Sequence, residues 1–418
     1  MRPPADSSRA RSASVSEARA LNSLARLRRR GGHFARRRPG IALGLSIIAI
    51  FYLAAAFSDF IAPYDYREQS RAETFAPPTP LHFFDAAGDF HARPFVRARR
   101  LADPLSRAYA EDSTRDYPLT LLARGYTYKF LGLYTTDRHL FGVAAEDGAG
   151  EEKSGGENFA RPPSQTPRPG TTTQTSPSGA ASQTSRPAPR LHLLGTDRLG
   201  RDRFSQLLAA ARFSLSVGPL GTLLAAALGV LVGCLAGYAG RKTDAVLMRA
   251  ADAMMALPEL VLILAARAAL PLELPTARAA AFLIVIFVAV GWAEMARLVR
   301  GLVLELRERE YVTAARALGM RESRVLFRHI LPNAARAVLV QLSLMLPAFL
   351  LAETSLSYLG VGVQAPEVSW GTMLAEASDL ALLREQPLVL LSPALSISLF
   401  VLGVRLLTNG LQRRGRDE

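Results

Sequence analysis

Two carboxylates, Glu294 and Glu353, sit inside the later apolar stretches of the chain, where an ionisable side chain is costly and by default marks a pathway or a buried pair. Glu294 can pair with Arg297 across one helical turn. Glu353 has no basic residue within four positions, which makes it the candidate for a translocation path. The other chemically active residues do not assemble. The six histidines (His33, His82, His91, His139, His192 and His329) are scattered and none lies in a predicted span. Cys234 is the single cysteine, which excludes an intrachain disulfide and any cysteine-built metal cluster; no metal site is expected. Gly148 to Ser154 imitates a phosphate loop, but Glu152 stands where the glycine before the lysine is required. Gly240-Arg241-Lys242-Thr243 fails in the same way. No cofactor is therefore expected in this chain, and any ATP must be bound by a separate subunit.

The elements that carry these residues are set by composition. Of 418 residues, 49% are hydrophobic, only 8% are aromatic and 21% are charged, so apolar residues must be segregated into blocks. A bilayer core of ~30 Å needs about 20 apolar residues in a helix. Stretches of that kind lie at Gly40–Ile61, Phe213–Ala239, Ala245–Leu270, Arg278–Met295, Ala335–Leu359 and Leu388–Leu407, giving six expected spans. The third is interrupted by Arg249, Asp252 and Arg267, and Pro258 should kink it; Arg249 and Asp252, three apart, can pair. The first is read as an uncleaved anchor, because a 39-residue n-region is far too long for a signal peptide.

Charge sets orientation. The first 39 residues hold eleven Arg against Asp6 and Glu17. Nine Arg fall between Arg297 and Arg336, and Arg413, Arg414 and Arg416 close the chain, whereas the short loops on the other side hold only Arg278 and Arg384. The positive-inside rule places both termini in the cytoplasm. By the same rule the N-terminal Arg cluster is a topology determinant beside the lipid membrane, and no nucleic acid is expected as a partner.

Three segments stand out by spacing. Gly229, Gly233 and Gly237 recur every four residues and form one smooth helix face, suited to close packing of helix backbones in lipid. Gly195-Thr196-Asp197-Arg198-Leu199-Gly200-Arg201-Asp202 combines two turn glycines with alternating charges, which suggests a hydrogen-bonded elbow capping the second span, with Thr196 or Asp197 as the helix cap. Arg300–Ala334 is too polar to span and too regular for a random loop. Helix formers fill Leu302–Arg316, Gly319 can end that helix, and a second short helix from Glu322 to His329 would stop before Pro332. It is either an amphipathic helix on the membrane surface or a docking knob for a soluble partner. Between the first two spans, Ala62–Arg190 faces outward: aromatics, charges and prolines to about Gly142 suggest a small, partly ordered cap, and the Gly/Ser/Thr/Pro/Gln tract 144–189 is expected to be a disordered linker.

Thr313-Ala314-Ala315, then Gly319, then Leu331-Pro332 beginning twelve residues after that glycine resemble the EAA loop of bacterial ABC-importer permeases. Thr313 replaces the usual Glu and His329 a frequent Ile, variants similar to those of the dipeptide and oligopeptide branch, whose loop ends in a similar RHILPN. Leu194–Gly218 and Leu356–Leu374 resemble two further stretches of that branch's second permease subunit. The resemblance implies an all-α integral membrane fold of the type I ABC-importer permease kind, with six transmembrane helices and a long outer insert after the first. It divides the chain into a basic arm (1–39), a first span (40–61), the insert (62–190), a permease domain (191–410) with coupling loop 300–334, and a tail (411–418). It further implies import of peptides or similarly sized solutes, with a second permease subunit, two ATPase subunits or domains and an outer-face solute-binding protein as partners. Thr313, Ala314, Ala315, Gly319, Leu331 and Pro332 would form the ATPase-coupling loop; Gly195, Thr196, Asp197, Gly200, Arg201 and Asp202 would form the outer motif. A multispan membrane enzyme would need a catalytic constellation that the scattered histidines do not provide, and a membrane-anchored sensor would need an output domain for which the tail is too short.

Overall fold

The computed structural model describes residues 39–85, 88–103, 108–130, 132–143, 189–238, 240–269, 271, 275–378 and 387–417. The basic arm 1–38 and the expected linker, apart from Pro189, lie outside the described residues, as does the false phosphate loop at Gly148–Ser154.

Among the described residues, five helical stretches are long and apolar enough to cross a membrane. In chain order the helices are α1 (Pro39–Ala56), α2 (Ser58–Ile61), α3 (Arg203–Tyr238), α4 (Arg241–Met255), α5 (Glu259–Ala268), α6 (Thr276–Leu306), α7 (Glu310–Ala317), α8 (Glu322–Val325), α9 (Leu331–Tyr358), α10 (Trp370–Ala375), α11 (Pro387–Leu390) and α12 (Ser392–Asp417). The third expected span is not one helix. Pro258, which has no amide hydrogen to donate, sits at the break between α4 and α5.

Topology explains why this broken pair is still needed. Gly221 packs on Phe287, Gly229 on Trp292 and Met295, Gly233 on Ala296 and Val299, and Gly237 on Val303. Both residue numbers rise together, so α3 and α6 run parallel. The chain between them must therefore travel back along their length, and α4 and α5, of 15 and 10 residues, make that return. By contrast Ile41 meets Gly410, Gly44 meets Leu407 and Ile47 meets Gly403, so α1 and α12 are antiparallel. The start of α1 and the end of α12 thus share one end of the bundle with the polar loop that follows α6. The insert between α2 and α3 occupies the other end.

Two apolar cores hold this arrangement. One joins α3, α6 and α9 through Val217, Leu283, Phe287, Met295, Val299 and Phe349, and it extends into the polar loop through Val312, Ala315 and Val325. The other gathers α1, α3, α10 and α12 around Trp370, Phe400, Leu215 and Ala55, with Phe51 edge-on to both large rings at 5.9 and 5.8 Å.

The insert, expected as a small, partly ordered cap, is built of strands. It forms an antiparallel sheet in the order β1 (His82–Phe84), β2 (Phe90–Asp103), β3 (Ala108–Leu121) and β6 (Phe141–Val143), plus a hairpin of β4 (Arg124–Phe130) and β5 (Tyr134–Arg138). Helix periodicity is absent, and cross-strand pairs such as Arg97–Asp116 at 2.8 Å supply the kind of contact on which a sheet depends. The whole is a helical membrane protein carrying a strand-rich insert.

Candidate functional site

At the insert end, the glycines of the elbow take φ values of +68° (Gly195) and +71° (Gly200), a region open to glycine and strained for other residues. Thr196 and Asp202 bridge as a minimal antiparallel pair. Asp197 is fully buried and accepts four hydrogen bonds: from the backbone N–H of Leu199 and Arg201 at 2.8 and 2.9 Å, from Arg201 Nε at 2.6 Å and from Gln206 Nε2 at 2.9 Å. The cap of α3 is Asp202, not Thr196 or Asp197. Its Oδ2 accepts from the Ser205 N–H at 2.8 Å and from the Ser205 hydroxyl at 2.6 Å, satisfying an N–H that the helix start leaves open.

Thr196 instead clamps the insert. Its Oγ1 accepts from the Ala76 N–H at 2.7 Å and donates to the Glu73 carbonyl. The backbone of Leu199 accepts from the Ser70 N–H at 3.2 Å and that of Asp197 from the Phe75 N–H at 3.0 Å. Sequence reasoning missed the residue that completes this clamp, His192, which it counted among scattered histidines. His192 is buried, with Nδ1 2.9 Å from Asp202 Oδ1 and Nε2 3.5 Å from Glu73 Oε2. Burial works to lower its pKa, but hydrogen bonding to Asp202 and Glu73 outweighs burial and the net shift is upward. The only signal in the sequence was its place three residues before Gly195.

Thr196, Asp197 and Asp202 are at most 3% exposed and Arg201 7%, so the elbow is a structural joint between the insert and α3. A second missed link is Arg203, buried at the start of α3 and paired through NH1 with Glu376 Oε2, which ties α3 to the turn after α10.

Glu353 does not line an open path within this chain. Its side chain is fully buried and accepts from the Ser357 hydroxyl at 2.9 Å through Oε1. The chain after α9 folds back as α10, capped by Ser369 through a reciprocal bond pair with Thr372, and seals the carboxyl against α3. Among the other charged groups expected in the spans, Asp252 pairs with Arg297 and not with Arg249. Asp244 holds Arg300 bidentately at 2.5 and 2.6 Å. Arg267 donates to the carbonyls of Pro271 at 3.1 Å and Gly362 at 3.3 Å.

Gly229, Gly233 and Gly237 face α6 at distances that admit no side chain: a Cβ on Gly233 would lie 2.6 Å from the Ala296 carbonyl oxygen. Sequence reasoning missed the matching contact of Gly44 with Gly403, where a Cβ on Gly44 would come 2.6 Å from the Gly403 oxygen; isolated glycines carry no repeat to betray them.

At the opposite end, the polar loop differs from the expected pair of helices in two places. Helix α6 ends at Leu306, and α7 begins only at Glu310. The second helix does not stop before Pro332: residues Leu326–Ile330 form a wide helical turn, with the Leu331 N–H bonded to the Leu326 carbonyl, that leads into α9 with Pro332 in its first turn. A proline there gives up a donor that a helix start leaves unpaired. Gly319 has φ +76° and ends α7, its N–H bonded to the Arg316 carbonyl at 2.9 Å while the Met320 N–H reaches the Ala315 carbonyl at 3.2 Å.

The expected loop residues divide by face. Ala315 is buried with Val312 and Val325, fixing the loop to the core, and Arg316 braces it through Glu322 at 3.0 Å and the Arg307 carbonyl at 3.2 Å. Thr313, Ala314, Gly319 and Pro332 are exposed, while Leu331 is half-buried. Beside them Leu318 is 84% and Phe327 64% exposed. The result is a firmly mounted knob with small and apolar residues on its outer face. Among the described residues no group of three or more His, Cys, Asp or Glu side chains is placed to hold a metal ion.

Comparison with known proteins places the chain in context. Residues 229–416 match the family described as binding-protein-dependent transport system inner membrane component, and residues 35–78 match the N-terminal transmembrane domain of oligopeptide transport permease C. The chain is 39% identical over 227 residues to the oligopeptide transport system permease protein OppC of Bacillus subtilis, covering 54% of this chain and 72% of that one. It is 38% identical over 221 residues to the dipeptide transport system permease protein DppC of the same organism, covering 53% and 67%. Among solved structures, the inward-facing MetNI methionine ABC transporter matches with a TM-score of 0.38 at 15% identity, over 50% of this chain and 94% of that chain.

Proposed function

Because this chain belongs to the binding-protein-dependent inner-membrane transport components, we propose that it is a permease subunit of an ATP-driven importer for peptides or solutes of similar size. The observation that carries the reading is the loop knob: Leu318 and Phe327 stand exposed on a face whose reverse side is locked into the core by Val312, Ala315 and Val325. An amphipathic helix merely lying on lipid needs no such rigid mount, whereas a part that transmits force does. In this reading Thr313, Ala314, Gly319, Leu331 and Pro332 present the contact and Ala315 anchors it. Two ATPase subunits or domains bind the ATP, a second permease completes the channel and a solute-binding protein delivers substrate at the insert end.

Orientation follows from charge. The loop end carries the Arg-rich segments and is the cytoplasmic end by the positive-inside rule, which puts both termini in the cytoplasm and the insert outside. Closure of the ATPases would push on α7 and α8; α6 and α9, which flank the loop, would tilt as rigid bodies and open a cavity alternately to each side. The outer elbow takes part as the joint that lets the insert and α3 move together. The peptide branch is supported by what the relatives are named for.

The test is uptake of labelled di- and oligopeptides into proteoliposomes containing the co-purified complex, with binding protein supplied at the insert side and ATP at the loop side. Uptake that requires both agrees with the reading. Complexes that hydrolyse ATP but accumulate no peptide of any length would contradict the solute class.

A further inference from the structure

The strands of the insert, residues 82–143, lie outside the two matched family ranges, and their hairpin packs against the end of the first span. Phe130 at the end of β4 packs against Phe57 and Phe60 at the end of α1 and on α2, with ring centroids 5.6 and 6.2 Å apart. Asp59 is the first charged residue after the apolar run of α1. Lys129 and Gly132 line one crevice with Tyr52, Ala55 and Asp59 on one side and Arg212 and Ser216 of α3 on the other. At the turn Leu133 is 83% and Tyr134 59% exposed. Nearby, the Leu122 N–H bonds to the Leu140 carbonyl at 3.0 Å and the Leu140 N–H to the Phe60 carbonyl at 2.7 Å, and Leu122 is itself 54% exposed.

We infer that the β4–β5 hairpin is a membrane anchor, with Leu133 and Tyr134 seated in the interfacial layer of the leaflet at the insert end. Two observations select lipid as the occupant. The exposed apolar side chains of the hairpin adjoin the end of α1 through Phe130 and Phe57, and Ile50, Tyr52 and Leu53 of that helix are themselves 64%, 43% and 56% exposed, on a helix whose family places it in a membrane. Tyrosine is at home at the headgroup level, and exposed Lys129 beside it can extend its ammonium toward lipid phosphate. The anchor would hold the insert at a fixed height over the elbow. The inference rests on the membrane placement of α1 and is independent of the solute carried.

The test uses the full chain with its co-purifying subunits in nanodiscs of phosphatidylethanolamine and phosphatidylglycerol, with Cys234→Ala and one spin label at Leu53→Cys, Leu133→Cys or Arg100→Cys. Arg100 is exposed at the far end of β2, and the two leucines are exposed enough that substitution leaves the fold intact. The readout is the ratio of collision with oxygen to collision with a water-soluble nickel chelate. The ratio at Leu133 should lie severalfold above that at Arg100 and close to that at Leu53. A ratio at Leu133 equal to that at Arg100 would overturn the anchor. So would protection of Leu133 from both reagents, which would mean a protein interface, and so would a water-like value at Leu53, which would remove the bilayer from α1 altogether.

Discussion

Gly233→Leu is expected to abolish assembly of the complex while leaving membrane insertion intact. A Cβ at this position would stand 2.6 Å from the Ala296 carbonyl oxygen, 2.8 Å from Val299 Cβ and 3.1 Å from the Arg300 N–H nitrogen. Two of these are backbone atoms of α6, which cannot swing aside as a side chain can, so α3 and α6 must separate along their whole contact. Overpacking of a well-packed core costs roughly 1–3 kcal/mol and occasionally more, and here the helix pair is the backbone of the larger core. Gly301→Leu is the control. Gly301 lies on α6 with nothing within 4 Å of its Cβ position, and replacing an exposed helical glycine gains up to ~1 kcal/mol in propensity. Native gels and thermal unfolding in detergent read both variants. Equal behaviour of the two would show that the close approach of α3 and α6 does not hold the bundle together.

Asp197→Ala should unfasten the insert from the bundle. The carboxylate is buried and serves four donors, two of them side chains that are buried themselves, Arg201 and Gln206. Removing one partner of a buried ion pair leaves the other charge uncompensated, at about 3–5 kcal/mol. Asp197→Asn keeps an oxygen for the Leu199 and Arg201 N–H groups and should fall between the variant and wild type. Limited proteolysis within the insert, followed beside thermal unfolding, distinguishes local release from global loss. Unchanged protease resistance in Asp197→Ala would mean that the contacts of Ser70–Ala76 with the elbow hold the joint without the Asp197 carboxylate.

How much of this was legible in the sequence depended on how local each signal was. Uninterrupted apolar length located all five long helices, because a segment such as Gly40–Ile61 carries its own evidence. The glycine repeat at 229, 233 and 237 was visible for the same reason: three residues on one helix face need no knowledge of the partner. Gly44 and Gly403 were not visible, since each is a single small residue whose meaning comes from a helix more than 350 positions away. Pro258 announced a kink, but the full break into α4 and α5 depends on the parallel run of α3 and α6, a tertiary fact. The strands of the insert were hidden because prolines and charges interrupt the alternation in β2 and β3, and bulges shift their register between Arg97 and Ala98. Glu353 showed the limit of reasoning by default: the absence of a basic neighbour in sequence suggested a pathway, yet the side chain is fully buried and bonded to Ser357 on its own helix. In the loop, the spacing located the segment, and only the fold could tell that Ala315 faces inward while Thr313, Ala314 and Gly319 face out.

Docking of an ATPase on the loop is tested by Gly319→Asp. Gly319 has nothing within 4 Å of its Cβ position and a φ of +76°, so the substitution costs this chain only the ~1–2 kcal/mol of a left-handed residue. Seated in a partner's groove, the same carboxylate would be a buried unpaired charge worth several kcal/mol of lost affinity, roughly a hundredfold or more. If the loop merely lay on the membrane, the carboxylate would be solvated among Arg316, Arg321 and Arg324 and change little, about 0–1 kcal/mol. The measurement is capture of the ATPase subunits by wild-type and Gly319→Asp protein at equal membrane level, with transport-coupled ATP hydrolysis in proteoliposomes. The account predicts that the variant loses both the ATPase and the coupled hydrolysis. A variant that retained its ATPase and hydrolysed at the wild-type rate would contradict it.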